Sequence, residues 1–394
     1  MARKNNTKMV NDNHLRMDEY PFRDIIQFPI KAYSFLSIYR YTISMKTDHA
    51  FPSKLRPSGR EAVSPVIATI LMVAVTVILS SVLFVLVLEI ADMTNEGGQV
   101  HDGGSSLLPT GSGTPEDPYL LRSIEDIINI VNDRDAHYAL ASDIDASSTR
   151  FLNAGAGFEP MFGLGDSFRG SFDGNHYNIT GLYINRPSSN QVGFFSWIAA
   201  DADVSNINII DAEVIGGNNV GILAGRSTGN VVECSSSGTV SGQDKVGGLI
   251  GANWRTIERS HSNADVTASG SDIGGLVGEN RQNQLILDSY ATGTVAGGST
   301  VGGLVGLNSN NAKITNCYSV GAVSGTVEVG GLIGKNSVNG QVTSSYWDTQ
   351  TSGTSVSSGG TGKTTSQMKQ QSTFVGWDFT DIWIHVPAQY PLLR

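Results

Sequence analysis

Between Val192 and Asn336 one short apolar phrase returns six times, as VGFFSW, VGILAG, VGGLIG, IGGLVG, VGGLVG and VGGLIG. Its first residues are Val192, Val220, Val246, Ile273, Val301 and Val329, at intervals of 28, 26, 27, 28 and 28. A fixed period of this size leaves few folds open. Each unit is too small to bury its apolar face alone, so it must stack on the next one.

The residues between the phrases select the kind of stack. In VVECSSSGTV, LILDSYATGTV and KITNCYSVGAV, β-branched and aromatic residues alternate with small polar ones, which is strand patterning at period two. Helical periodicity is absent. Two short strands with Gly, Asn and Ser corners fill one period, and this predicts a mostly β chain built as a parallel β-helix, or β-solenoid. By analogy with known β-helices we expect a right-handed coil.

Stacking turns sequence offsets into files of side chains about 4.8 Å apart. Asn253, Asn280, Asn308 and Asn336 share one offset and would form a ladder of amides. Tyr290, Tyr318 and Tyr346 share another, where stacked phenols either support neighbouring strands or offer a strip to a sugar. Cys234 and Cys317 fall in a third file with Ser260, Ser289 and Ser345. They lie three rungs apart, about 14 Å, which is beyond disulfide reach, so two unpaired thiols are expected.

The net charge of −10 hides an asymmetry. Residues 1–62 carry eleven Lys and Arg against six Asp and Glu, leaving fifteen against thirty in the remainder. An acidic body argues against nucleic acid as a partner. Between the two parts, Val63 to Leu88 is a run of 26 residues without a charge, VSPVIATILMVAVTVILSSVLFVLVL. As a helix it would reach about 39 Å, enough to cross a bilayer of about 30 Å. Lys54, Arg56 and Arg60 would hold its N-terminal side in the cytoplasm and send the acidic body outside. Ser64 and Pro65 suit a helix start.

Residues 91–114 read as a Gly/Ser linker. Beyond it, Ser123 followed by Glu125, Asp126 and apolar residues at 124, 127, 128 and 131 predicts a short helix plugging the first rung. A helix over 366–373 and the aromatic group Phe374, Trp377, Phe379, Trp383 and Tyr390 are expected to close the far end. We therefore divide the chain into a basic leader (1–62), a membrane helix (63–90), a linker (91–114), an N-terminal cap with first rungs (115–191), the repeat solenoid (192–358) and a C-terminal cap (359–394). Residues 1–44 are either a cytoplasmic extension or precede a true start at Met45.

The run GGTGKTT resembles a phosphate loop, but position 357 is Ser357 where that motif needs glycine. Carboxylates fall at scattered offsets, and the seven histidines form no i,i+4 pair. No catalytic residue, cofactor or transition-metal site is expected, although loop carboxylates leave calcium open. Asn178-Ile179-Thr180 is one glycosylation sequon in the body.

Two stretches carry family resemblances. GGLVGxN followed by SYATGTV resembles the GLUG-motif repeats of microbial surface proteins and adhesins, and the lead-in FRGSFDGNHYNITGLYI and exit SYWDTQTSG extend the likeness. REAVSPVI followed by ATILMVAVTVIL resembles the N-terminus of archaeal type IV pilins. That resemblance implies cleavage by a prepilin peptidase after Glu61-Ala62, making Val63 the mature N-terminus. It also implies a helix held in the membrane or packed with other pilin subunits, although Ile67 stands where bacterial pilins carry glutamate. Together they imply a non-enzymatic cell-surface protein displaying a solenoid toward a glycan or protein ligand. A membrane-anchored adhesin outside any filament and a polysaccharide-degrading β-helix are the alternatives.

Overall fold

A computed structural model of the protein describes residues 109–130, 133–163 and 166–394. The apolar segment 63–90 lies outside them, and so do Glu61, Ala62, Val63, Ser64, Pro65 and residues 91–108 of the linker. The described part is mostly β. Four in-register sheets of parallel strands run along it, with four, six, nine and thirteen strands. We number them S1 to S4 in the order one coil visits them.

One coil shows the course of the rest. Ser271–Gly274 lies in S1, Val277–Asn280 in S2, Leu285–Leu287 in S3, and Tyr290–Ala291 with Val295–Ala296 in S4, before Ser299–Gly302 returns to S1. This coil thus holds five short strands where the pattern predicted two, whereas in the coils from Val192 and Val220 the S4 strand is continuous, as Asn208–Ile215 and Ser235–Gly242. The reason is local. The repeated phrase is itself strand on both sides of a glycine arch, and the run after Tyr290 breaks once more before Val295.

The glycines of the phrase answer to space. A Cβ on Gly302 would sit 2.0 Å from the carbonyl oxygen of Val305, across the arch. One on Gly275 would meet the carbonyl oxygen of Gly303 on the next rung at 2.3 Å and the Ala291 methyl at 2.9 Å. One on Gly306 would press on the Ile273 amide nitrogen at 2.3 Å. S1 is folded back so tightly onto S2 that only hydrogen fits between the backbones. The apolar residues between these glycines fill the interior: Leu249, Leu276, Leu304 and Leu332 are fully buried, and Ile250, Val277, Val305 and Ile333 stack in register.

Corners are turned by residues with left-handed backbone. Gln191, Asn219, Lys245, Asp272, Thr300 and Glu328, each just before a phrase, have φ of 57°, 57°, 56°, 62°, 54° and 52°. Such values are uncommon outside glycine and persist where the surroundings over-determine them, as the strand ladders on both sides do here.

The first two phrases differ from the others. Val192 pairs with Val220, yet Phe195 pairs with Ala224, so the first copy is one residue shorter at its arch. Phe194 and Ile222 stand where later copies have glycine, and Phe194 and Phe195 join Phe168 and Phe172 in an aromatic core.

At the N-terminal end Ile124–Asn129 is helical. Ser123 and Asp126 form a capping box, and Ile124 and Ile127 are buried in the main core. The C-terminal end differs from expectation. The helix over 366–373 divides into α-helix Thr365–Met368 and 3-10 helix Gln371–Thr373, and the aromatic group lies against the flank of S4. There its rings pack on the stacked Tyr290, Tyr318 and Tyr346, large apolar side chains that would otherwise face water.

Candidate functional site

A single file on S4 joins residues that looked unrelated in sequence. Strand register stacks Asn178, Asn208, Ser235, His261, Tyr290, Tyr318 and Tyr346 in that order. The His261 and Tyr290 rings are parallel at 4.6 Å, and Tyr290 and Tyr318 at 4.9 Å. The aromatic half is closed. Tyr290, Tyr318 and Tyr346 are 5%, 1% and 8% exposed, so the tyrosines form no open strip for a sugar.

The C-terminal segment does the covering. Trp383 Nε1 donates to Asp288 Oδ1 at 3.1 Å, Trp377 Nε1 to the Ser344 carbonyl at 2.8 Å, and the Tyr318 hydroxyl to the Pro391 carbonyl at 2.6 Å. Tyr390 donates to Asp348 Oδ2 at 2.8 Å, and burial followed by that carboxylate pushes its phenol up to about 12. The segment is thus pinned by polar contacts at several points as well as by its rings.

Where the segment stops, the file opens. A cleft of about 310 Å³ is bounded by His176, Glu233, Arg259 and His261 of the solenoid and by Asp381 and Arg394 of the C-terminal segment. On its floor Ser235 Oγ donates to Asn208 Oδ1 at 2.8 Å, and Asn208 Nδ2 donates to the His176 carbonyl at 3.2 Å. Arg259 Nε meets Glu233 Oε1 at 2.8 Å and also pairs with Glu258. Amides, a hydroxyl, an imidazole, a guanidinium and carboxylates therefore converge on one concavity. That is the chemistry of a site for a hydroxyl-rich ligand.

Burial pulls the His261 imidazole down to about 4 from an ordinary value of 6.5. Its folded value lies below its unfolded one, so the neutral ring contributes stability above pH 6.5 that is lost as pH falls toward 4. Allowing for partial exposure, urea unfolding should show the parent chain losing about 2 kcal/mol more than His261→Gln between pH 7.5 and pH 4. Identical losses would show that the ring is solvated.

The other sequence-singled residues have separate places. Asn253 Nδ2 donates to Asn280 Oδ1 at 2.9 Å, Asn280 to Asn308 at 3.0 Å and Asn308 to Asn336 at 2.9 Å. The first three are fully buried and out of a ligand's reach. Asn178, half-buried on strand Asn178–Thr180, donates its backbone N–H to Asp143 Oδ1 at 2.8 Å. The phosphate-loop look-alike is strand Thr361–Lys363, paired in parallel with Tyr346–Asp348. Among the described residues no three His, Cys, Asp or Glu side chains gather as metal ligands.

Cys234 and Cys317 are free and buried, and their backbone N–H groups donate to hydroxyl oxygens of the neighbouring rung, Ser260 Oγ and Ser345 Oγ, each at 3.1 Å. Desolvation pushes the Cys234 thiol up to about 12 and Cys317 higher still. Native protein should therefore take up no label from a thiol reagent at pH 8 within minutes and two per chain once unfolded. Rapid labelling of the native state would contradict their burial.

Two features were missed in sequence. His261 escaped because Tyr290 follows it by 29 residues, although RSHSNADV aligns with DSYATGTV and could have revealed it. Glu279, whose offset sets it apart from no other acid in the sequence, is 1% exposed and held by Lys245 at 2.9 Å and Arg281 at 2.7 Å.

The fold and the flank-bound cap define a β-solenoid of the stacked-repeat class. Residues 61–97 match the archaeal type IV pilin N-terminal family, and residues 297–324 match the GLUG motif. The chain accordingly joins a pilin-type N-terminal segment to a GLUG-motif solenoid, the organisation of a membrane-associated surface protein. Halomucin of Haloquadratum walsbyi is 40% identical over 174 residues, which is 41% of this chain and 2% of halomucin. A Gly-rich membrane protein of Evansella cellulosilytica is 31% identical over 204 residues, 47% of this chain and 22% of the relative. The chain thus spans a small part of either relative. A crystal structure of a candidate immunoglobulin A1 protease from Bacteroides ovatus superposes with a TM-score of 0.57 at 20% identity, covering 73% of this chain and 96% of that one. This last likeness concerns the fold alone. Among the described residues no helix is long and apolar enough to cross a membrane, and the run from Val63 to Leu88 lies outside them.

Proposed function

We propose that the protein is an archaeal type IV pilin-like surface protein that holds its solenoid outside the cell as an adhesion module. The pilin match over residues 61–97 is the observation that carries this reading. A prepilin peptidase would cut after Ala62 and free Val63, leaving the apolar helix in the membrane or among other pilin subunits. The solenoid would then meet its glycan or protein ligand at the open polar end of the S4 file, where the cleft lies. The halomucin likeness supports a surface role.

N-terminal sequencing of protein extracted from its own cell envelope tests the first half. The expected start is Val63. A start at Met1 or Met45 with the basic leader retained would sink processing and leave a membrane-anchored adhesin. Adhesion itself is tested by comparing surface attachment of cells with and without the chain, where equal attachment would overturn the second half.

A further inference from the structure

Away from the cleft, Arg226 lies between two indoles. Its Cζ is 3.7 Å from the Trp254 ring centroid and 4.4 Å from that of Trp197. The three come from consecutive rungs, since Arg226 pairs with Trp197 on one side and with Ala252, two residues before Trp254, on the other. All three side chains are half-buried and so reach the surface.

Stacking of this kind occupies the faces of a guanidinium and leaves its in-plane N–H groups free to donate. The Trp197 Nε1 is satisfied by Thr228 Oγ1 at 3.1 Å. Two other donors of the stack are not: Arg226 Nε and Trp254 Nε1 are buried with no acceptor. A counter-charge is missing as well. Arg134, Arg150, Arg186, Arg259 and Arg281 each meet a carboxylate, whereas Arg226 is in no ion pair among the described residues. Arg122, Arg169, Arg255 and Arg394 also lack an ion pair, but those four are exposed to water, whereas Arg226 is half-buried. Desolvation lowers the pKa of Arg226, so an arriving anion would relieve a cost already present.

We propose that Arg226, Trp197 and Trp254 form a binding site for an acidic sugar residue, a uronate whose carboxylate meets the guanidinium edge while its ring packs on indole. A carboxylate matches the planar donors in two-point fashion, and the apolar face of a pyranose matches an indole face. A bare inorganic anion would use only the first of these contacts. The site rests on the contact reading of the solenoid and is independent of how the N-terminus is processed. Its ligand class differs from that of the cleft, where carboxylates share the lining with cations.

The test is a titration of the full-length chain in detergent, followed by tryptophan fluorescence and calorimetry. The probes are hexagalacturonate, a neutral hexasaccharide and inorganic sulfate. Hexagalacturonate should bind at least about tenfold tighter than either of the others, and Arg226→Gln should lose at least about tenfold of that binding. Arg226→Lys keeps the charge without the planar fork and should fall between. Thermal melting of each variant checks folding. Should Arg226→Gln fail to fold, Trp254→Phe keeps the stack, removes one donor and is expected to weaken binding several-fold. Equal binding of charged and neutral sugars, no binding of hexagalacturonate at millimolar concentration, or an unchanged affinity in Arg226→Gln or Trp254→Phe would each overturn the site. Because soluble sugar is the probe, a failure of cellular attachment would leave this result standing.

Discussion

A Gly302→Ala variant should melt roughly 10 °C below the parent chain, a loss of about 3 to 5 kcal/mol. The added methyl carbon would sit 2.0 Å from Val305 O, 2.7 Å from Gly334 N and 2.8 Å from Val305 C. All of these are backbone atoms, so no side chain can swing aside. Relief requires opening the arch between S1 and S2, and that pulls Ser299–Gly302 away from its pairing with Val327–Gly330. The residue does not have a positive φ, so the demand is for space alone and serine should fare no better. Gly163→Ala is the control, as its added carbon would find only Pro160 O at 3.9 Å. If Gly302→Ala melts within about 2 °C of the parent, the account of the arch is wrong.

Asn280→Ala is the second large effect, at about 3 to 4 kcal/mol in urea unfolding. Asn280 accepts from Asn253 Nδ2 at 2.9 Å and donates to Asn308 Oδ1 at 3.0 Å. Truncation therefore orphans a donor on one rung and an acceptor on the next, both in fully buried side chains. A buried group without its partner costs its whole desolvation, which exceeds what the bond contributed while it existed. Asn336 ends the ladder and is partly exposed, so water can replace what Asn336→Ala removes. That variant should cost about 1 kcal/mol. Equal losses in the two variants would mean that the amides act independently of their place in the ladder.

The C-terminal segment shows where inference from pattern loses its grip. Phe374, Trp377 and Trp383 were recognisable as a packing group, and their destination was not. Composition identifies rings that need cover. It does not say which of two apolar surfaces, the terminal rung or the tyrosine file, they will cover. The same limit explains why the tyrosines left two readings open until the covering was known, with Tyr318 1% exposed beneath that segment.

What the chain's letters determined unaided was the solenoid itself and its register. The period of 26 to 28 residues puts spatial neighbours one repeat apart, so Asn253 over Asn280 and Tyr290 over Tyr318 can be read by counting. The phrase glycines were legible as a motif, but their purpose was not, because the backbone of another strand and not local torsion forbids a side chain there. Tertiary structure alone decided which files are closed and which remain open. Trp383 reaches Asp288 across 95 residues, and Arg226 finds Trp254 on the following rung without sharing its offset. Contacts of that kind follow no period. They depend on which surfaces remain uncovered after the coil has formed, a property of the assembled shape that no spacing along the chain encodes.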